Sequence, residues 1–237
     1  MIDINDLEKN FGDVRAVDKA SFSARDGEIT TLLGANGSGK STTMRAISGM
    51  IEVDGGSAVV DEIHVAKNPV AARKRLGIFP DQFGLYPRLT AREEVEYFAG
   101  FHGLKGRAFK SALDEIVTLL NMSDIIERRT AGFSQGQRMK VALARSLIHN
   151  PQNLMLDEPT RGLDVVNIRL LRTILTKRRD AGHCILLTSH VMAEVHELSD
   201  RVVVINKGRI VADASPDGLI EQTGTASLED AFISLID

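Results

Sequence analysis

Two periodicities alternate along the chain. The runs "ITTLL" at 29–33, "LGIF" at 76–79, "NLML" at 153–156, "CILLT" at 184–188 and "VVVI" at 202–205 are apolar or β-branched and four or five residues long. Each ends at a polar or turn-forming residue, the pattern of a buried strand. Between them lie segments with helical spacing. Residues 40–50, "KSTTMRAISGM", read as a helix with its own glycine stop. Residues 91–104, 110–122 and 134–150 are helical too, with Val95 set against Phe98 and Ile116 against Leu119 and Leu120. "SAVVDEI" at 57–63 reads as another strand, and "INKGRIV" at 205–211 as two strands joined at Gly208.

Strands separated by helices predict a mostly parallel α/β sheet. The helices between about Gly84 and Pro151 form an insertion between strand-rich halves. From Pro216 onward the chain reads as a short helical appendix.

Composition narrows the function classes. The 237 residues are 43% hydrophobic and 26% charged, enough for a sizeable core. A net charge of -3 and a pI near 6.1 show no basic excess, which argues against nucleic acid as a partner. Cys184 is the single cysteine, so no internal disulfide can form and a reducing compartment is expected. Its apolar setting suits a buried strand residue better than a nucleophile. No secretory leader pattern opens the chain, and no apolar run is long enough to span a bilayer.

Chemistry concentrates in four places. "GANGSGKS" at 34–41 follows a strand and opens a helix, with Gly34, Gly39, Lys40 and Ser41 at phosphate-loop spacing. Its glycines let backbone N–H groups turn toward phosphate oxygens, and the helix adds its positive end. Lys40 would reach the outer phosphates and Ser41 would ligate Mg²⁺. "NLMLDEP" ends a strand in two acids: Asp157 can hold Mg²⁺ and Glu158 can act on an attacking water. A strand ending in "DE" is by itself usually a solvated end; the phosphate loop gives it meaning. His190 ends "ILLTSH", on the sheet rim where ligands gather, and could bond a γ-phosphate oxygen. Elsewhere such a histidine is commonly a surface residue.

The fourth place is "FSQGQ" at 133–137. Ser134 and Gln137 form a capping box, which explains the helix start but not Gln135 and Gly136. A capped helix with a glycine in its first turn is also an anion site, and this one has no phosphate of its own.

Together these motifs resemble the ATP-binding subunits of ABC transporters, in order and spacing, over essentially the whole chain. "GANGSGKST" is similar to Walker A, "LMLDEP" to Walker B, "FSQGQ" to the signature motif, "GLD" at 162–164 to the D-loop and "TSH" to the switch histidine. The resemblance implies a P-loop α/β core with a mostly parallel sheet, an antiparallel β part and an inserted helical subdomain. Residues 1–83 and 151–215 would form the ATP-binding core, 84–150 the helical subdomain and 216–237 a tail.

It also implies ATP and Mg²⁺ as ligands, with Asn36, Gly37, Ser38 and Thr42 joining the phosphate cradle and Phe11 stacking on adenine beside Val17. The family dimerises head to tail. Ser134, Gln135, Gly136 and Gln137 would then cap the phosphate held by the other copy, with Asp164 of the D-loop nearby. Partners would be a second copy or a paralogue and an integral membrane permease, at the cytoplasmic face of the membrane. The motifs and the "SLEDAFISLI" tail most resemble stand-alone subunits of sodium-extrusion and drug exporters.

Two departures from the family pattern stand out. Phe133 and Gln135 replace residues of the usual L-S-G-G-Q. In "PDQFGLYP", Asp81 occupies the position of the Q-loop glutamine and Gln82 follows it. Both are candidates for the Mg²⁺ side of the site, and a carboxylate is the stronger ligand for a hard cation.

Rival readings have less support. A GTPase would need an N-K-x-D motif, and "NKGR" puts Arg209 in place of the aspartate. A chromosome-organising ATPase would need long coiled-coil heptads, for which the insertion has no room. A regulatory or non-transport module that holds ATP without hydrolysing it would not need both Glu158 and His190.

Overall fold

All five residues of Ile29–Leu33 are buried, so this strand is covered on both faces. The computed structural model describes residues 1–237. In chain order the first half holds β1 (Ile2–Phe11), β2 (Val14–Ala24), β3 (Ile29–Leu33), α1 (Lys40–Ile47), β4 (Gly55–Val60), β5 (Ile63–His64), α2 (Pro69–Lys74) and β6 (Leu76–Phe79). Next come α3 (Ala91–Phe101), α4 (Gly106–Leu119), α5 (Gln135–Leu147), β7 (Asn153–Leu156), α6 (Val165–Asp180) and β8 (Cys184–Ser189). The chain continues through α7 (Met192–Leu198), β9 (Arg201–Asn206), β10 (Arg209–Ala214), α8 (Pro216–Thr223) and α9 (Leu228–Ile236).

The larger sheet has the order β10-β9-β3-β8-β7-β6, parallel except for the β9–β10 hairpin. A smaller antiparallel sheet has the order β2-β1-β4-β5. The α/β class, the parallel sheet, the antiparallel part and the inserted helices all agree with the sequence reading.

Residues 57–63 are not one strand. Asp61 and Glu62 both have positive φ and turn the chain between β4 and β5, so the apolar run ends at Val60. The tail is no appendix either. Leu219, Leu228, Ala231 and Phe232 share a buried cluster with Leu33, Val195, Val202 and Val204. The helical insertion likewise has no separate core: α3, α4 and α5 contribute to one cluster with Ile29, Phe79, Leu154, Leu156 and Ile185 of the sheet.

Candidate nucleotide site

The phosphate loop is built by close approach. Gly39 has φ +110°, and a Cβ there would meet the Ala16 carbonyl at 2.5 Å, so only glycine closes the turn onto β2. Lys40 is buried, and its Nζ donates to the Gly34 and Ala35 carbonyls at 2.7 and 3.2 Å. Burial pushes its pKa down, partly offset by Glu158 and Asp157. The Ser38 hydroxyl is buried with no hydrogen-bond partner. An orphaned hydroxyl in a glycine loop at a helix start fits a phosphate oxygen.

Parallel pairing of β7 with β8 brings the acids to this loop. Leu156 lies opposite Leu187, which sets Asp157 beside Thr188 at the carboxyl rim. The Thr188 hydroxyl donates to Asp157 Oδ1 at 2.6 Å and accepts from the Glu158 N–H at 2.9 Å. Glu158 has φ +48°, a left-handed conformation that turns its carboxylate toward Lys40, 4.0 Å away, and His190, 2.7 Å away. Thr188 thus organises both acids, and nothing in the sequence reading singled it out.

One cleft of about 550 Å³ gathers Asn36, Gly37, Gly39, Lys40, Ser41, Thr42, Asp81, Asp157, Glu158 and His190. Arg161 lines it as well, donating to Asp81 Oδ1 at 3.2 Å. Gln82 is exposed and lines an adjoining hollow with Ser41, Asp81 and Asp157. Ser41, Asp157 and Asp81 are hard oxygen donors that suit Mg²⁺. No three His, Cys, Asp or Glu side chains are grouped as a metal site, so the remaining ligands would be phosphate and water oxygens.

The adenine side differs from expectation at Val17. Its side chain is fully buried in a cluster with Leu32, Met44 and Ile205, while the turn at Gly208 packs over its backbone. Val14, Arg15 and Ala16 line the cleft instead. Phe11 is 52% exposed, and its ladder partner is Val14.

None of residues 134–137 lines that cleft. Ser134 caps α5 with the reciprocal Gln137 bonds expected of a capping box, at 3.2 and 3.0 Å. Ser134 and Gln135 are exposed, while Phe133 is buried. Gly136 also has a structural reason, contrary to the sequence reading: a Cβ there would meet Asn167 Nδ2 at 2.2 Å. Asp164 caps α6, accepting from the Asn167 N–H at 2.8 Å. The first turns of α5 and α6 therefore abut.

A family model described as "ABC transporter" matches residues 17–161. The chain belongs to the ABC transporter ATP-binding family. It is 35% identical to the ABC transporter ATP-binding protein NatA of Bacillus subtilis (strain 168), over 99% of this chain and 97% of that protein. It is 36% identical to the Nod factor export ATP-binding protein I of Rhizobium etli, over 93% of this chain and 70% of that one. A solved ATP-binding subunit of an ABC transporter superposes with a TM-score of 0.92 at 27% identity, covering 99% of each chain. As an ABC ATPase, the chain binds and hydrolyses ATP. No helix is long and apolar enough to cross a membrane.

Proposed function

We propose that the chain powers export through a separate membrane permease, as a dimer with ATP–Mg²⁺ held between copies of itself or a paralogue. One observation carries this reading. The cleft gathers Lys40, Ser41, Asp157, Glu158 and His190 but none of residues 134–137, whose capped helix end lies exposed elsewhere on the same chain. A second chain would complete each site. In that arrangement Glu158 orients and deprotonates the attacking water, held by Thr188 and His190. Lys40 exchanges its carbonyl partners for phosphate oxygens. Ser41, Asp157 and Asp81 would hold Mg²⁺, which supplies charge neutralisation across the phosphates.

The permease would dock beside Phe83–Leu89, at the cytoplasmic face. Tyr86, Tyr97 and Phe101 are 53%, 52% and 62% exposed and stand edge to face in a row. Next to them lies a hollow of about 450 Å³ with Met50, Val70 and Phe101 in its lining. Leu85, by contrast, packs on the core. This apolar patch supports a protein partner. In this reading residues 84–150 carry the signature, and 1–83 with 151–215 form the ATP-binding core.

Mixing chains tests the dimer. Lys40→Ala and Ser134→Arg chains are each inactive in homodimers, and a mixture regains one good composite site. Activity strictly linear in chain concentration, with no dimer under ATP, refutes the reading. A photo-crosslinker at position 86 should reach the permease in the assembled complex; labelling unchanged when the permease is removed rules out docking there.

A further inference from the structure

The backbone of Tyr86 is held on both sides by groups that lead to α5. Its N–H donates to the Glu94 carboxylate, and its carbonyl accepts from the Thr130 hydroxyl at 2.8 Å. Thr130 in turn accepts from the Phe133 N–H at 3.2 Å, one residue before the Ser134 cap. The stretch is reinforced by the Thr130 N–H on the Leu89 carbonyl at 2.9 Å and the Ala131 N–H on Pro87 at 3.2 Å. The other Glu94 oxygen accepts from Arg145 Nη1 at 3.3 Å, and Arg145 sits on α5, the helix that Ser134 caps.

This pair is out of water. The Glu94 side chain is 0% exposed and that of Arg145 is 9% exposed, with the guanidinium 3.9 Å above the Phe98 ring. A buried carboxylate with one cationic partner and one backbone donor has few other places to go. Its position therefore depends on both partners at once. When the Tyr86 backbone shifts, Glu94 and Arg145 must follow or leave a charge unpaired. The Thr130 tether pulls the other end of the same unit.

We propose that Glu94 is a positioning residue for hydrolysis: it sets the placement of the Ser134 end of α5 according to that of segment 83–89. The inference rests on the composite-site reading above, in which Ser134 serves the other copy. Side-chain packing alone would hold the helices together without a charge; the buried carboxylate adds a geometric constraint between two functional segments.

Two variants of the full chain test it. Glu94→Gln keeps the shape and removes the charge. Thr130→Val keeps the volume and removes the other tether, so it serves if the first fails to fold. Binding of a fluorescent ATP analogue to dilute chains should stay within about twofold in both, because Lys40 and its loop are untouched. Turnover at saturating ATP should fall by about 10- to 100-fold, as expected when a reacting group is displaced by about an ångström. Hydrogen exchange at amides 134–138 should quicken while that of β7 stays unchanged. Lower melting temperatures with unchanged turnover and unchanged exchange at 134–138 would make the pair a mere stabiliser and overturn the proposal. If wild-type activity is linear in chain concentration, the composite-site reading fails by itself. Exchange at 134–138 then decides the tether: faster supports it, unchanged overturns it.

Discussion

His190 Nδ1 lies 2.7 Å from Glu158 Oε2, so the histidine is bound to the carboxylate through the ring nitrogen nearer its own backbone. That leaves Nε2 for a phosphate oxygen. Replacing Glu158 with Gln keeps the shape of this contact but removes the carboxylate proposed to act on water. The expected result is ATP binding near the wild-type level with turnover lower by about two to four orders of magnitude. Nucleotide binding and phosphate release, measured side by side, check it; near-normal release would place the base elsewhere.

Asp81 and Gln82 separate by metal dependence. The Asp81–Arg161 pair is 33% and 68% exposed, so it restrains Asp81 by about 1 kcal/mol at most. Asp81→Ala should raise the Mg²⁺ concentration needed for half-maximal hydrolysis. Arg161→Ala should lower it by no more than about fivefold, the equivalent of that energy. A raised requirement in Gln82→Ala with none in Asp81→Ala would give the metal-facing role to Gln82. Equilibrium Mn²⁺ binding in the presence of a non-hydrolysable ATP analogue provides a readout independent of turnover.

Acid should weaken the fold through a histidine pair. The His149 ring stacks on His102 with centroids 3.5 Å apart, and its Nε2 donates to the Leu76 carbonyl at 3.1 Å. Burial, helped by the neighbouring His102, pushes the His149 pKa down to about 4. Burial lowers that of His102 as well. Between about pH 6.5 and pH 4 the unfolded chain binds protons that the folded chain refuses, so stability rises with pH across that window. Denaturant midpoints measured from pH 4 to 7 should show this slope, flattened in His149→Gln. An unchanged slope would assign the acid sensitivity to carboxylates.

Cys184 should be inert while the chain is folded. It is fully buried in β8, donates to the Ala24 carbonyl at 3.3 Å, and burial pushes its pKa up to about 12. Iodoacetamide at pH 8 should leave the native chain unlabelled and add one group to the unfolded chain. Rapid native labelling would reveal an opening of the sheet at β8.

What the sequence made legible was local. A phosphate loop needs a strand, a glycine turn and a helix in succession, so residues 29–47 carry their own reading, as does the Ser134–Gln137 cap. Contacts across distant segments were not legible. Thr188 looks like any strand-end threonine until the β7–β8 register sets it beside Asp157. Val17 is expected beside Phe11 at the adenine, whereas folding turns its side chain into the core. Glu94 reads as one acid among several in "AREEVE", and only folding gives it Arg145. Gly136 has no local explanation in the sequence, whereas in the fold Asn167 already fills the space a side chain would take.

The sharing of one cluster by Leu33 and Phe232 bears on how the chain is made. The strand that precedes the phosphate loop leaves the ribosome early, yet its last residue, Leu33, gains part of its cover only when residues some two hundred positions later have been translated. A nascent chain halted before α9 would carry Leu33, Val202 and Val204 without Phe232 over them. Such a chain would hold an intact phosphate-loop sequence on an unfinished sheet, the kind of surface that chaperones bind and proteases clear.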